Sequence, residues 1–230
     1  MNQNFQQIYG GGDALAIRNR VLRNTYWLLA LSMIPTIAGA WLGVQVNFAA
    51  FAGTGMLGFL LFMAVAFGFI FAINKTKDSS LGVFFLLGFT FFMGLMLSGL
   101  IGFVLHSFTN GAALISIAFG GTAAIFAVMA TIATVSKRDF SGMGKWLFAG
   151  VLVLIIASLL NIFLHLPALY LVVSVVAIAI FSAYILYDVQ QVINGGETNY
   201  ITATLAIYLD IYNIFVNLLR LLSIFAGDRR

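Results

Sequence analysis

Long apolar runs separated by short polar breaks make up most of this chain, and their lengths predict membrane-spanning helices. At about 1.5 Å of rise per residue, some 20 apolar residues in a helix cross a hydrocarbon layer of about 30 Å. Six runs meet that length: Thr25–Val46, Ala49–Ile73, Leu81–Leu105, Ala112–Val135, Lys145–Leu164 and Ala168–Ile193. A seventh, Tyr200–Phe225, is as long but carries Thr202, Thr204, Asp210, Asn213, Asn217 and Arg220. Lipid solvates such a helix poorly on every side, so it is expected in the middle of a bundle, shielded by the others. The expected fold is an all-α membrane protein with seven transmembrane helices, six of them surrounding a central polar seventh. Residues 1–24 form a polar N-terminal tail, 25–225 the transmembrane domain and 226–230 a short C-terminal tail.

Composition supports this reading. The chain is 62% hydrophobic and 8% charged, whereas a soluble domain is about 25% charged. The net charge of +4 does not point to nucleic acid, because the bases sit between spans. Arg18, Arg20 and Arg23 precede the first span, Lys75 and Lys77 follow the second, and Lys137, Arg138 and Lys145 join the fourth to the fifth. The alternate loops, around Asn47, His106–Asn110 and His165–Pro167, carry no Lys or Arg. By the positive-inside rule the N-terminus is cytoplasmic, with the lipid bilayer as the constant partner. Seven full crossings place Arg229 and Arg230 outside, while a re-entrant last segment returns them to the cytoplasm. No cysteine is present, which excludes disulfides and thiolate chemistry. The polar start of the chain has no short apolar core before a cleavage site, so the first span is expected to act as an uncleaved insertion signal.

Three charged side chains lie well inside the apolar runs: Asp188, Asp210 and Arg220, all in the last two. An acid at mid-helix costs roughly 2.5 to 3.5 kcal/mol to insert, so such residues face a bundle interior and mark ion or proton routes. The turn Asn194–Asn199 is short enough to make the last two spans an antiparallel hairpin. Asp188 and Asp210 then lie roughly 8 and 15 Å from its cytoplasmic end, within reach of each other directly or through a water. Two such carboxylates do not both ionise easily and tend to share a proton. They also offer hard oxygens suited to Ca²⁺, though two fall far short of a complete cage. On the residues alone two readings stand: a proton-controlled cation path, or a hydrogen-bonded pair locking two helices together. Asn213, Asn217 and Arg220 continue the polar stripe, as a possible pathway or latch. Arg220 is roughly 15 Å from Asp210 along the axis, too far to pair, and is expected to reach toward the far interface.

Other patterns carry less. Gly94 with Ser98, and Gly120 with Ala124, keep the small-residue spacing that lets helices approach closely. Gly53-Thr-Gly-Met-Leu-Gly58 matches a dinucleotide fingerprint but opens a membrane helix, not a βαβ unit. His106 and His165, without nearby acids or cysteines, make an incomplete metal site. No cofactor is expected. An intramembrane aspartyl protease also uses two aspartates on adjacent helices, but only Tyr187-Asp188 meets its signatures, so no enzymatic activity is expected.

Val21-Leu-Arg-Asn-Thr-Tyr26, Asn161–Leu169, Gly195-Gly-Glu-Thr-Asn-Tyr-Ile201 and Tyr208-Leu-Asp-Ile-Tyr-Asn-Ile-Phe215 resemble the Bax inhibitor-1 family, and within it the bacterial YccA branch. The likeness runs from about Arg18 to Phe225. It implies six helices around a seventh and a pH-sensitive Ca²⁺ leak governed by two aspartates, which Asp188 and Asp210 match. It also implies an inner-membrane location and an association with the membrane AAA+ protease FtsH, with Met1–Asn24 as a flexible handle. One feature departs from the family. Its gate uses an arginine in the second helix, and Ala49–Ile73 has no charged residue. The resemblance then leaves a latch absent or rebuilt through Arg220 or Arg23.

Overall fold

The computed structural model describes residues 3–48 and 56–227. Seven long helices follow one another: α1 Gln3–Gln45, α2 Met56–Thr76, α3 Ser80–Ser107, α4 Gly111–Val135, α5 Gly144–Leu164, α6 Pro167–Asn194 and α7 Tyr200–Gly227. A single 3₁₀ turn, Ser141–Met143, precedes α5, and no strand occurs among the described residues. Every one of the seven is long and apolar enough to cross a membrane. Their bounds follow the apolar runs closely. The start of the second run, Ala49–Gly55, lies outside the described residues, as do most glycines of the dinucleotide-like pattern. The first helix departs from its expected bound. It begins at Gln3 rather than near Thr25, so the backbone of the expected tail continues the span without a break.

Exposed tryptophans stand near the ends of two spans, the positions that interfacial anchors favour. On α1, Trp27 and Trp41 are 73% and 65% exposed and 14 residues, about 21 Å, apart. Trp146 begins α5 and is also exposed.

Helix α7 is the most enclosed span, with 44% of its most apolar stretch buried against 6% for α2. It packs directly on α1, α2, α3, α4 and α6. Helix α5 packs on α6 and stands behind it rather than touching α7. The largest fully buried side chain, Tyr208, lies on α7. Its hydroxyl pairs with Thr36 Oγ1 of α1 at 2.9 Å and donates to the Thr90 carbonyl of α3 at 3.4 Å. A helix this polar is stable in the interior because neighbouring helices supply such partners.

α7 also crosses the whole bundle. At one end Asn199 bonds the α2–α3 loop, and at the other Gly227 sits beside Phe108, just past the end of α3. Its 28 unbroken residues span about 42 Å. The last segment therefore runs the length of the bundle instead of turning back within it, which puts the two ends of α7 at opposite ends of the bundle.

The tightest helix pair is α1 with α3. A Cβ on Gly94 would stand 2.1 Å from the Thr36 carbonyl oxygen, and one on Gly39 2.2 Å from that of Phe91. Gly43 meets Ser98 in the same seam. Gly120, by contrast, has nothing within 4 Å and is exposed. Of the two small-residue pairs, only the one on α3 packs helices within this chain.

Candidate functional site: the aspartate pair of the last hairpin

The hairpin is closed by a glycine that needs a left-handed backbone. Gly195 (φ 78°) ends α6, and the amides of Gly195, Gly196 and Glu197 return to the carbonyls of Val192 and Gln191. That geometry is available to glycine without a Cβ penalty. Asn199 then starts α7. Its Oδ1 accepts from the amides of Ile201 and Thr202, while its Nδ2 donates to the Lys77 carbonyl and to Asp78 Oδ1, each at 2.9 Å.

Two further ties hold the same end. Arg18 Nη1 donates to the Ile193 carbonyl at 3.4 Å. Gln190, buried on α6, accepts from the Phe140 amide and donates to the Arg138 carbonyl at 2.7 Å. The three segments carrying Arg18, Lys77 and Arg138 thus converge on one end of the hairpin, which we call the basic end.

The hairpin brings Asp188 and Asp210 together. Their carboxyl groups are within hydrogen-bonding reach of each other. Asp210 is 5% exposed, and its Oδ2 is buried without a hydrogen-bond partner among the described residues. Asp188 is half-buried. Depth follows from Thr204, whose hydroxyl lies 3.3 Å from the Thr25 carbonyl, beside the interfacial Trp27. Asp210 is six residues further along α7, about 9 Å inward from that level. A carboxyl with an orphan oxygen at this depth is costly, and buried polar groups left unpartnered commonly mark function.

The rest of the stripe is arranged differently. Asn213 Nδ2 donates to the Leu209 carbonyl and Asn217 Nδ2 to the Asn213 carbonyl, each at 2.8 Å. Both amides fold onto their own helix, so their donors do not bridge α7 to a neighbour. Arg220 lies 5.8 Å over the Tyr170 ring of α6, a cation–π contact near the opposite end. It is not brought to the aspartates, and neither is Arg23, which is exposed beside Tyr26 and Trp27. Shallow hollows on α1, lined by Ala16, Asn19, Arg20 and Arg23 and by Arg23, Tyr26 and Trp27, belong to that outer face.

His106 and His165 each bond a nearby backbone carbonyl, and no three potential ligands cluster around a metal among the described residues. Sequence reasoning overlooked Gln190, Glu197 and Tyr208. It searched the spans for charge, and these are uncharged or lie in the turn. An amide inside an apolar helix was the signal for Gln190.

A family model described as inhibitor of apoptosis-promoting Bax1 matches residues 18–227. The chain belongs to the Bax inhibitor family. Among its relatives is an uncharacterised protein of Neisseria meningitidis serogroup A, 37% identical over 213 residues, covering 92% of this chain and 93% of the relative. The modulator of FtsH protease YccA of Escherichia coli K12 is 35% identical over 215 residues, 94% of each chain. An uncharacterised Campylobacter jejuni protein is 38% identical over 205 residues, 89% of this chain and 88% of its own. Within the Bax inhibitor family, then, this chain carries its two intramembrane acids on the final hairpin.

Proposed function

We propose that this chain is a bacterial inner-membrane cation leak, passing Ca²⁺ among other ions, in which Asp188 and Asp210 sense pH. The basic end faces the cytoplasm, as the distribution of Lys and Arg indicates. The observation that carries the reading is the contact of the two carboxyls with one buried, unpartnered oxygen between α6 and α7. With no arginine beside them, two touching carboxylates stay together by sharing a proton. Loss of that proton sets two like charges against each other in low dielectric and forces the helices apart. Asp188 and Asp210 are the sensor, and Asn213 and Asn217 line the onward route. Leak therefore rises as pH rises. Proteoliposomes holding a Ca²⁺ dye test this between about pH 6 and pH 8, the range open to a coupled carboxyl pair. Wild type should show a pH-dependent rate and Asp210→Asn a flat one. Equal leak by both at every pH sinks the sensor.

A second reading has support of its own, the printed name of the Escherichia coli relative as a modulator of FtsH protease. In that reading this chain restrains a membrane protease through contacts that include its N-terminal segment, and the two activities coexist. Removing Met1–Arg20 should weaken co-purification with the protease and leave Ca²⁺ flux intact. Undiminished co-purification removes the segment from the mechanism.

A further inference from the structure

The outer face of α1 carries a set of hydrogen-bond donors that nothing in the bundle uses. Arg20 and Arg23 are exposed there, about one helical turn apart. With Ala16 and Asn19 they line one hollow, and Arg23 with Tyr26 and Trp27 lines a second, so the two adjoin at Arg23. Neither guanidinium makes a hydrogen bond or ion pair among the described residues. No acid stands three or four residues from either one, the spacing at which a helix pairs charges on its own surface. The Asn19 amide, the Tyr26 hydroxyl and the Trp27 indole N–H are likewise unengaged among the described residues. The second hollow has a fixed wall, because the Tyr26 ring stands edge-on to Phe126 of α4 with centroids 6.0 Å apart.

The same face runs on into the membrane. At about 100° per residue, Arg23, Trp27, Ala30, Ile34, Ile37 and Trp41 follow one stripe of α1. All six are exposed. A positive, donor-rich patch therefore opens directly onto an apolar strip. Arg23 lies about 6 Å beyond Trp27 toward the basic end, and tryptophan favours the level of the headgroups. Arg20 and Arg23 thus stand where lipid phosphates lie.

We propose that this face of α1 binds an anionic phospholipid of the phosphatidylglycerol class, its phosphodiester held by Arg20 and Arg23 and an acyl chain lying along the strip. Charge complementarity chooses the occupant. Two unpaired guanidiniums meet a phosphate with forked donors that suit its oxygens. No carboxylate stands among them to receive an ammonium, so an amine-bearing headgroup gains less here than a hydroxylated one. The Asn19 amide serves the headgroup hydroxyls, and the Trp27 N–H serves an ester carbonyl where headgroup meets chain. The site is independent of the aspartate pair and of any ion flux.

Native mass spectrometry of the full chain tests the site, with phosphatidylglycerol and phosphatidylethanolamine of matched acyl chains titrated in turn. Wild type should retain phosphatidylglycerol preferentially. Arg20→Gln and Arg23→Gln should each cut that preference roughly fivefold, the usual weight of one basic residue at an anionic surface. Arg20→Lys with Arg23→Lys should keep most of it. Lys75→Gln with Lys137→Gln removes two exposed charges elsewhere on the chain and should leave the preference nearly unchanged. An equal loss in the two double Gln variants overturns the proposal, because the preference then follows net charge alone. A wild type that holds both lipids equally overturns it as well. Displacement of the lipid by inorganic phosphate makes the face a simple anion site and has the same consequence. The same spectra count chains, and a dimer lost only in Arg20→Gln with Arg23→Gln assigns the face to a second copy instead.

Discussion

Two seams of this bundle use opposite means to hold helices together. Between α1 and α3 the contact is backbone on backbone, with Gly39, Gly43 and Gly94 leaving no space for a side chain. Between α6 and α7 the contact contains two carboxyls, one of whose oxygens is buried and unpartnered. In lipid there is little hydrophobic drive between helices, so close packing is what makes the first seam strong. The second gives up some of that strength. A seam that gains or loses a proton has two states, whereas a seam packed on glycine has one. The lesson is a division of labour: a rigid α1–α3 pair and, in the function proposed above, a switchable α6–α7 hairpin.

The largest effect should come from breaking the rigid seam. Gly94→Val places a branched side chain where even a Cβ meets the Thr36 carbonyl at 2.1 Å. Overpacking of this kind costs about 3 kcal/mol or more, to be seen as a large fall in Tm in detergent. Gly120→Val, with nothing within 4 Å of its Cβ, should leave Tm nearly unchanged. Equal effects at both positions would break the comparison.

The switchable seam should respond in the other direction. Asp210→Leu takes a buried acid out of the α6–α7 seam, so Tm should rise and its dependence on pH should flatten. A fall in Tm would mean that the pair is a lock and not a switch.

Tyr208 joins both regions, bonding α1 and α3 from α7. Tyr208→Phe should cost about 0.6 to 1.5 kcal/mol, as interhelical hydrogen bonds in membranes do, by thermal or denaturant unfolding. The smallest effect lies outside the membrane. The Ser141 hydroxyl and amide hold Asp139 below the usual carboxylate range. Since its value is lowered by folding, Asp139 supports the folded state above the ordinary carboxylate range and loses that support as pH falls through its own value. Ser141→Ala should move Asp139 back up toward an ordinary carboxylate, as read by NMR titration of its side chain, with little change in Tm.

Much of the fold was legible in the residues because the bilayer imposes a single length on every span. Tyr200–Phe225 declared its central place through polarity, and Asp188 and Asp210 stood out because acids are so rare here. Other features of the site were not legible, because hydrogen bonding across the fold has no local signature. Nothing near Gln190 in the chain says that it holds Arg138 and Phe140, fifty-odd residues earlier. Arg220 could be placed by rise per residue, yet Tyr170 beneath it could not.

By itself the sequence determined seven segments of spanning length, which loops are basic, and that two acids sit in the last hairpin. Hydropathy, charge and helical rise depend only on residue type and spacing. Tertiary structure decided which of two alike small-residue pairs packs a helix, that α5 stands behind α6, and that Asn199 ties the last turn to the α2–α3 loop. Those outcomes depend on how the helices are rotated about their axes and which neighbour each one meets, and no local pattern in the chain encodes either.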